Sequence, residues 1–239
     1  MLRLFVKNIA MNNKEFSQFY SDYVNTSDKF NLDITYICPL KCPFCIRQLP
    51  GGKERIKNSS DITINNFVKI LKKSNHISFC GQISDPIYHK DFISIMKLVS
   101  ENKHKSFSFN TNGTRKSVNW WKTVFSMSHK NVTWIFGLDG TDQETANKYR
   151  INTRFDEVLN IMKLGSSMNV NIIWQFIVFK HNQHQIELAK KLALENSIKF
   201  EILKSNRWQH KELMKKHNIE PPSEEWISNR TEQKIIFYN

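Results

Sequence analysis

Short apolar runs recur along the chain, separated by stretches whose apolar residues fall at helical spacing. The runs predict strands at 31–37 (NLDITYI), 76–80 (HISFC), 105–110 (KSFSFN), 131–138 (NVTWIFGL), 170–178 (VNIIWQFIV) and 198–203 (IKFEIL). Amphipathic helices are expected between them at 63–74, 91–102, 117–126, 155–167 and 184–196. Regular β–α alternation implies an α/β fold of parallel strands joined by right-handed helical crossovers, as an open sheet or a partial barrel. In either form the chemistry gathers in the loops after the strands. Residues 1–29 read as a lead-in without clear periodicity, 30–204 as the core domain, and 205–239 as a tail without its own core, with Trp208, Trp226 and Phe237 outside it.

Composition narrows this picture. A chain of 239 residues that is 40% hydrophobic, with seventeen Phe, can bury a sizeable core. The first residues are interrupted by Lys7, Asn8 and Asn12, which argues against a secretory segment, and no stretch approaches the ~18 apolar residues of a membrane span. A soluble, cytoplasmic protein with no membrane partner is expected. The formal charge of +13 permits an anionic partner such as nucleic acid. Lysines are scattered over every segment, however, so a solvated basic surface accounts for the charge as well, and nucleic acid is not favoured.

Of four cysteines, three lie within residues 38–45, CPLKCPFC, directly after the first predicted strand. Cys38, Cys42 and Cys45 are too closely spaced for a disulfide framework and suggest a metal site in a reduced compartment. Zinc would call for a fourth ligand. A four-iron cluster held by three cysteines leaves one iron open to a substrate or cofactor.

The spacing C-x3-C-x-aromatic-C after the first strand of a βα series resembles the signature of the radical S-adenosylmethionine (radical SAM) enzymes. The resemblance implies a partial (β/α)6 TIM-like barrel, a [4Fe-4S] cluster on Cys38, Cys42 and Cys45, and SAM on the open iron. It also implies reductive cleavage of SAM to a 5′-deoxyadenosyl radical that abstracts hydrogen from substrate, with a reductant such as flavodoxin or ferredoxin. Other strand ends extend the likeness. Gly81, Gln82, Ile83, Ser84, Asp85 and Pro86 stand where relatives have Gly-Gly-Glu-Pro, a loop that receives the SAM amino group. Asn110, Thr111 and Asn112 resemble a Thr-Asn-Gly loop. Gly137 stands where a serine often touches SAM, followed by Asp139 and Gly140, and Arg150, rather than Arg154, is expected to pair with the SAM carboxylate. Val178 and Phe44 are expected near the adenine. Cys80 reads as a small buried residue, and His181 and His184 as parts of a solvated helix N-terminus rather than a metal pair.

The ordered loops most resemble relatives that modify peptide or protein side chains. RNA modification and a non-catalytic iron–sulfur or zinc protein are the alternatives. In many relatives a C-terminal extension carries further cysteines; none follows Cys80 here, so either a minimal one-cluster enzyme or a chain that borrows this part from a partner is expected.

Overall fold

The computed structural model describes residues 28–57, 59–203, 205, 211–228 and 235–237. Six strands, β1 (Lys29–Leu32), β2 (His76–Phe79), β3 (Ser106–Thr111), β4 (Val132–Gly137), β5 (Asn171–Ile177) and β6 (Lys199–Leu203), lie side by side in chain order, every neighbouring pair parallel. A seventh, β7 (Ile235–Phe237), joins β6 antiparallel. Sequential order with parallel pairing is the winding of a (β/α) barrel, left unclosed between β1 and β7.

The helices are α1 (Gly52–Lys57), α2 (Ile64–Lys73), α3 (Phe92–Glu101), α4 (Val118–Ser126), α5 (Gln143–Tyr149), α6 (Phe155–Ser167), α7 (Ile186–Glu195), α8 (Lys211–Lys216) and α9 (Glu224–Ser228). Side-chain caps fix several starts. Thr63 accepts from the Asn66 amide, Ser117 from Trp120 and Asp142 from Thr145, satisfying amides that the first helical turn leaves open. Helix α5 has no counterpart among the predicted elements. Its seven residues are too few to show a period, and Asp142 is its sequence signal. The first ladder begins at Lys29, before the predicted 31–37, because Asp33 and the residues after it leave the sheet to build a loop.

The two faces of the sheet differ in kind. Phe30, Leu32, Ile77, Phe79, Phe107, Phe109, Trp134, Phe136, Trp174 and Phe200 are buried in one hydrophobic core under the helices. On the opposite face, register aligns Asn31, Ser78, Ser108 and Thr133 in one row, with Asn110 and Gln175 further along, and all of these are at least partly exposed. A closed barrel fills this space with branched apolar residues. Here the polar side chains lie beside Ile135 and Ile173, with Lys199 and Glu201 in register on β6.

The tail is more than an appendage. Met214 and Ile219 are buried with Phe44, Tyr149, Ile177 and Phe179 in a second, smaller cluster. The Lys180 amide donates to the Glu220 carbonyl at 3.1 Å and the Ser223 amide to Gln183 at 2.8 Å. Trp226, expected outside the core, packs against the main one. Trp208 lies outside the described residues.

At the centre of the core Trp134 is fully buried, stacked on Phe109 at 4.6 Å and edge-on to Trp121 and Phe125. Trp134→Ala should lower stability by about 3–5 kcal/mol through the cavity it leaves, measured as a shift in the urea midpoint of the cofactor-free chain. A shift below about 1 kcal/mol would contradict this packing.

Candidate functional site

The predicted site residues lie at the C-terminal ends of the strands or in the segments that follow them, Arg150 at the C-terminal end of α5, so the fold brings them to one edge of the sheet. The cysteine loop is a series of tight turns: the Cys45 amide donates to the Cys42 carbonyl at 3.0 Å, and Gln48 to Cys45 at 2.8 Å. The Arg47 guanidinium donates to the carbonyls of Tyr36 and Ile83, both at 2.5 Å, tying this loop to the one after β2. On its other side the Lys41 amide donates to the Ile151 carbonyl at 3.0 Å, and the Asn152 amide group to Pro39 at 3.2 Å. Phe44 is buried, its ring 5.6 Å from Tyr149 and 6.1 Å from Phe179 between centroids, so it anchors the loop to an aromatic pad.

None of the three thiols is in a disulfide, and all are half-buried. Burial, together with the charge of Asp85, pushes the Cys38 thiol up to about 12. Cys38 Sγ accepts from Asn112 at 3.6 Å, and Cys45 Sγ faces the Gln82 carbonyl at 3.8 Å. Among the described residues no three His, Cys, Asp or Glu side chains converge as they stand on one point where a metal would sit. The donor set still suits an iron–sulfur cluster: three soft sulfur ligands on one loop, one fewer than a closed zinc site requires.

The loop after β2 is built around two buried carboxylates. Asp33, just past β1, accepts from the Ser84 hydroxyl at 3.0 Å and the Ile83 amide at 3.3 Å, with the Cys80 thiol 3.7 Å away. Asp85 accepts from the Thr111 hydroxyl at 2.9 Å, the Asn112 amide at 2.6 Å and the Ile87 amide at 3.3 Å. Burial pushes both carboxyls up to about 6, against the pull of these bonds. The side chains of Ser84, Asp85 and Thr111 are therefore engaged in holding loops, and what the loop offers outward is its backbone and exposed Gln82. Gly81, at φ +57°, takes a left-handed turn that few side chains tolerate. Cys80 is half-buried beside Asp33.

After β4, buried Asp139 accepts from the Ile177 amide and from Arg150 Nε, both at 2.7 Å. The guanidinium of Arg150 lies against Gly137: a Cβ there would come within 2.4 Å of Nη2. Burial works against the arginine's charge, and Asp139 and Cys42 more than offset it, leaving its pKa raised. Arg154 instead sits on the surface beside Glu157.

At the end of β5 strand parity divides the residues. Ile177 and Phe179 join Phe44, whereas the side chain of Val178 belongs to the main core beneath the helices. Val178 therefore meets the site through its backbone, and Ile177 supplies the apolar side chain. His181 departs from the expected solvated position: both ring nitrogens are buried, the ring stacks on Phe179 at 5.6 Å, and burial followed by the charges of Lys148 and His184 lowers its pKa to about 4. His184 is exposed. Asn182, fully buried, donates to the carbonyls of Asp139 and Ile177, both at 3.0 Å. Sequence reasoning passed over Asp33, Arg47, Asn152 and Asn182. Asp33 did carry a signal, as a lone carboxylate inside the run NLDITYI.

A carboxyl raised from 3.8 in the unfolded chain to about 6 binds more protons when folded, so its contribution to stability falls as pH rises between those values. Relative to wild type, cofactor-free Asp33→Asn should gain about 1–3 kcal/mol between pH 4.5 and pH 7. Urea midpoints of both chains at the two pH values measure this, and a pH-independent difference would contradict the raised pKa.

Among the described residues no helix is long and apolar enough to cross a membrane. No curated protein matches the chain. Its fold is similar to that of SuiB from Streptococcus suis, at 16% identity and TM-score 0.59, over 93% of this chain and 54% of that one. SuiB bound to its precursor peptide SuiA matches at 17% identity and TM-score 0.56, over 77% and 41%. Native anSMEcpe with bound AdoMet matches at 21% and 0.55, over 73% and 50%. The chain thus spans about half the length of these solved structures. The model of the Radical SAM superfamily matches residues 32–193, which contain all three clustered cysteines and the ends of β1 to β5, and the chain belongs to that superfamily.

Proposed function

We propose that the chain binds a [4Fe-4S] cluster through Cys38, Cys42 and Cys45 and SAM at the iron these leave open, and acts on a peptide or protein substrate. The bound pair supplies reductive cleavage of SAM to a 5′-deoxyadenosyl radical, which abstracts hydrogen from substrate. The observation that carries this reading is the placement of three cysteines, none in a disulfide, on one loop, tied by Arg47 to the backbone of the Gly81–Pro86 loop and flanked by the ion-paired Arg150.

In this arrangement the chain's own residues bind and orient. The backbone at Gly81 and Gln82 meets the amino group of SAM, and the guanidinium of Arg150 meets its carboxylate. Ile177, the backbone of Val178 and that of Phe44 frame the adenine. The pad of Phe44, Tyr149, Phe179, Met214 and Ile219 keeps water from the Cys42 side of the loop. Ser84, Asp85, Thr111 and Asp139 hold these groups in place. The electron comes from a reductant of the flavodoxin or ferredoxin kind.

A peptide substrate is supported by two observations. SuiB was solved with a precursor peptide, and anSMEcpe with AdoMet and the Cp18Cys peptide. The sheet face opposite the core presents Asn31, Ser78, Ser108, Asn110, Thr133 and Gln175, side chains that can hydrogen-bond to peptide groups.

Anaerobic reconstitution with iron and sulfide, reduction and addition of SAM should yield 5′-deoxyadenosine, and Cys42→Ala should lower that yield at least 100-fold. A wild-type chain that takes up zinc but no iron, or builds a cluster and leaves SAM intact, would contradict the proposal.

A further inference from the structure

Gly137 is the one site position where the chain has no side chain although the family resemblance leads one to expect a hydroxyl, and the space is not empty. A Cβ built on Gly137 would stand 2.4 Å from Arg150 Nη2, 2.6 Å from Cζ and 2.7 Å from Nη1. All three lie inside the separation any real Cβ contact allows. The guanidinium therefore rests directly on the β4 backbone, in the volume a serine side chain would fill, so a side chain at 137 and this position of Arg150 exclude each other.

The same guanidinium is fixed from one side only. Asp139 takes Nε at 2.7 Å, and its other oxygen is held by the Ile177 amide, so the carboxylate cannot swing to grip the far end of the arginine. The arginine side chain is 15% exposed. No described residue accepts a hydrogen bond from Nη1 or Nη2. Two parallel N–H donors, held rigid and left without a partner, suit a carboxylate.

We propose that Gly137 is a positioning residue: by lacking a side chain it seats Arg150 against β4, where Asp139 clamps Nε and the two terminal nitrogens face the carboxylate of SAM. This rests on the cofactor assignment proposed above. Gly137→Ala restores only a Cβ. Because the atoms it meets are the free end of a flexible side chain, the arginine can swing away while the fold stays intact. The loss falls on the orientation of the fork.

The test compares affinities of the reconstituted protein for SAM and for decarboxylated SAM, which lacks only the carboxylate, by equilibrium dialysis. Gly137→Ala should weaken SAM at least tenfold and change decarboxylated SAM less than threefold. In an Arg150→Ala background, Gly137→Ala should weaken SAM by less than twofold further. A urea midpoint near that of wild type confirms that the variants fold. Equal weakening of both ligands, or no weakening of SAM, overturns the proposal. A second readout needs no cofactor. The Arg150 Nε–H signal in the nitrogen-15 NMR spectrum of the cofactor-free chain, assigned by its loss in Arg150→Lys, should exchange slowly in wild type and rapidly in Gly137→Ala. If it is unchanged in Gly137→Ala, the seat does not exist. If wild type binds neither ligand, the cofactor assignment falls, and the Nε signal alone decides the seat.

Discussion

Three buried carboxylates, placed after β1, β2 and β4, hold the candidate site's edge of the sheet together. Asp33, after β1, grips the loop after β2 through Ile83 and Ser84. Asp85, in that loop, grips the end of β3 through Thr111 and Asn112. Asp139, after β4, grips the end of β5 through the Ile177 amide, and Arg150 as well. Parallel strands align their C-terminal ends but leave the loops beyond them to find their own positions. A carboxylate taken out of water must find several donors, and the donors nearest at hand are the amides and hydroxyls of the next loop. The cost of burial shows in the raised pKa values of Asp33 and Asp85, and the hydrogen bonds that work against it join neighbouring loops.

The cysteine loop depends on this framework from both flanks. Arg47 reaches the carbonyl of Ile83, which Asp33 holds in place. Asn152 and Ile151 hold the other flank, next in sequence to Arg150, which Asp139 fixes. Phe44 then drives its ring into the pad with Tyr149 and Phe179, and the tail seals that pad with Met214 and Ile219. The tail is thus part of the wall on the Cys42 side, which ties distant sequence to the site.

Much of this was legible in the sequence, for physical reasons. KSFSFN alternates strictly and is buried on one face, while VNIIWQFIV reads as a β-rich apolar run, and both were located from the sequence. The cysteine spacing and the order of the strand-end loops led to the family. What the sequence could not show is direction. The same letters, Ser84, Asp85, Thr111 and Asp139, serve for cofactor contacts or for loop ties, and only coordinates reveal that their side chains point to neighbouring loops. Val178 and Ile177 differ by one residue, and strand parity sends them to opposite faces. His181 was misjudged because burial by an aromatic from its own strand end leaves no mark in composition. Short elements such as α5 and β7 carry too few residues for a period to appear.

The central claim is that the three-cysteine loop leaves one iron of a four-iron cluster open and that the surrounding loops deliver SAM to it. Electron paramagnetic resonance of the reconstituted, reduced chain tests this directly. The account predicts a reduced [4Fe-4S] signal whose g-values change when SAM is added and stay fixed when S-adenosyl compounds without the amino and carboxylate groups are added instead. A signal indifferent to SAM, or no iron–sulfur signal at all, would contradict it.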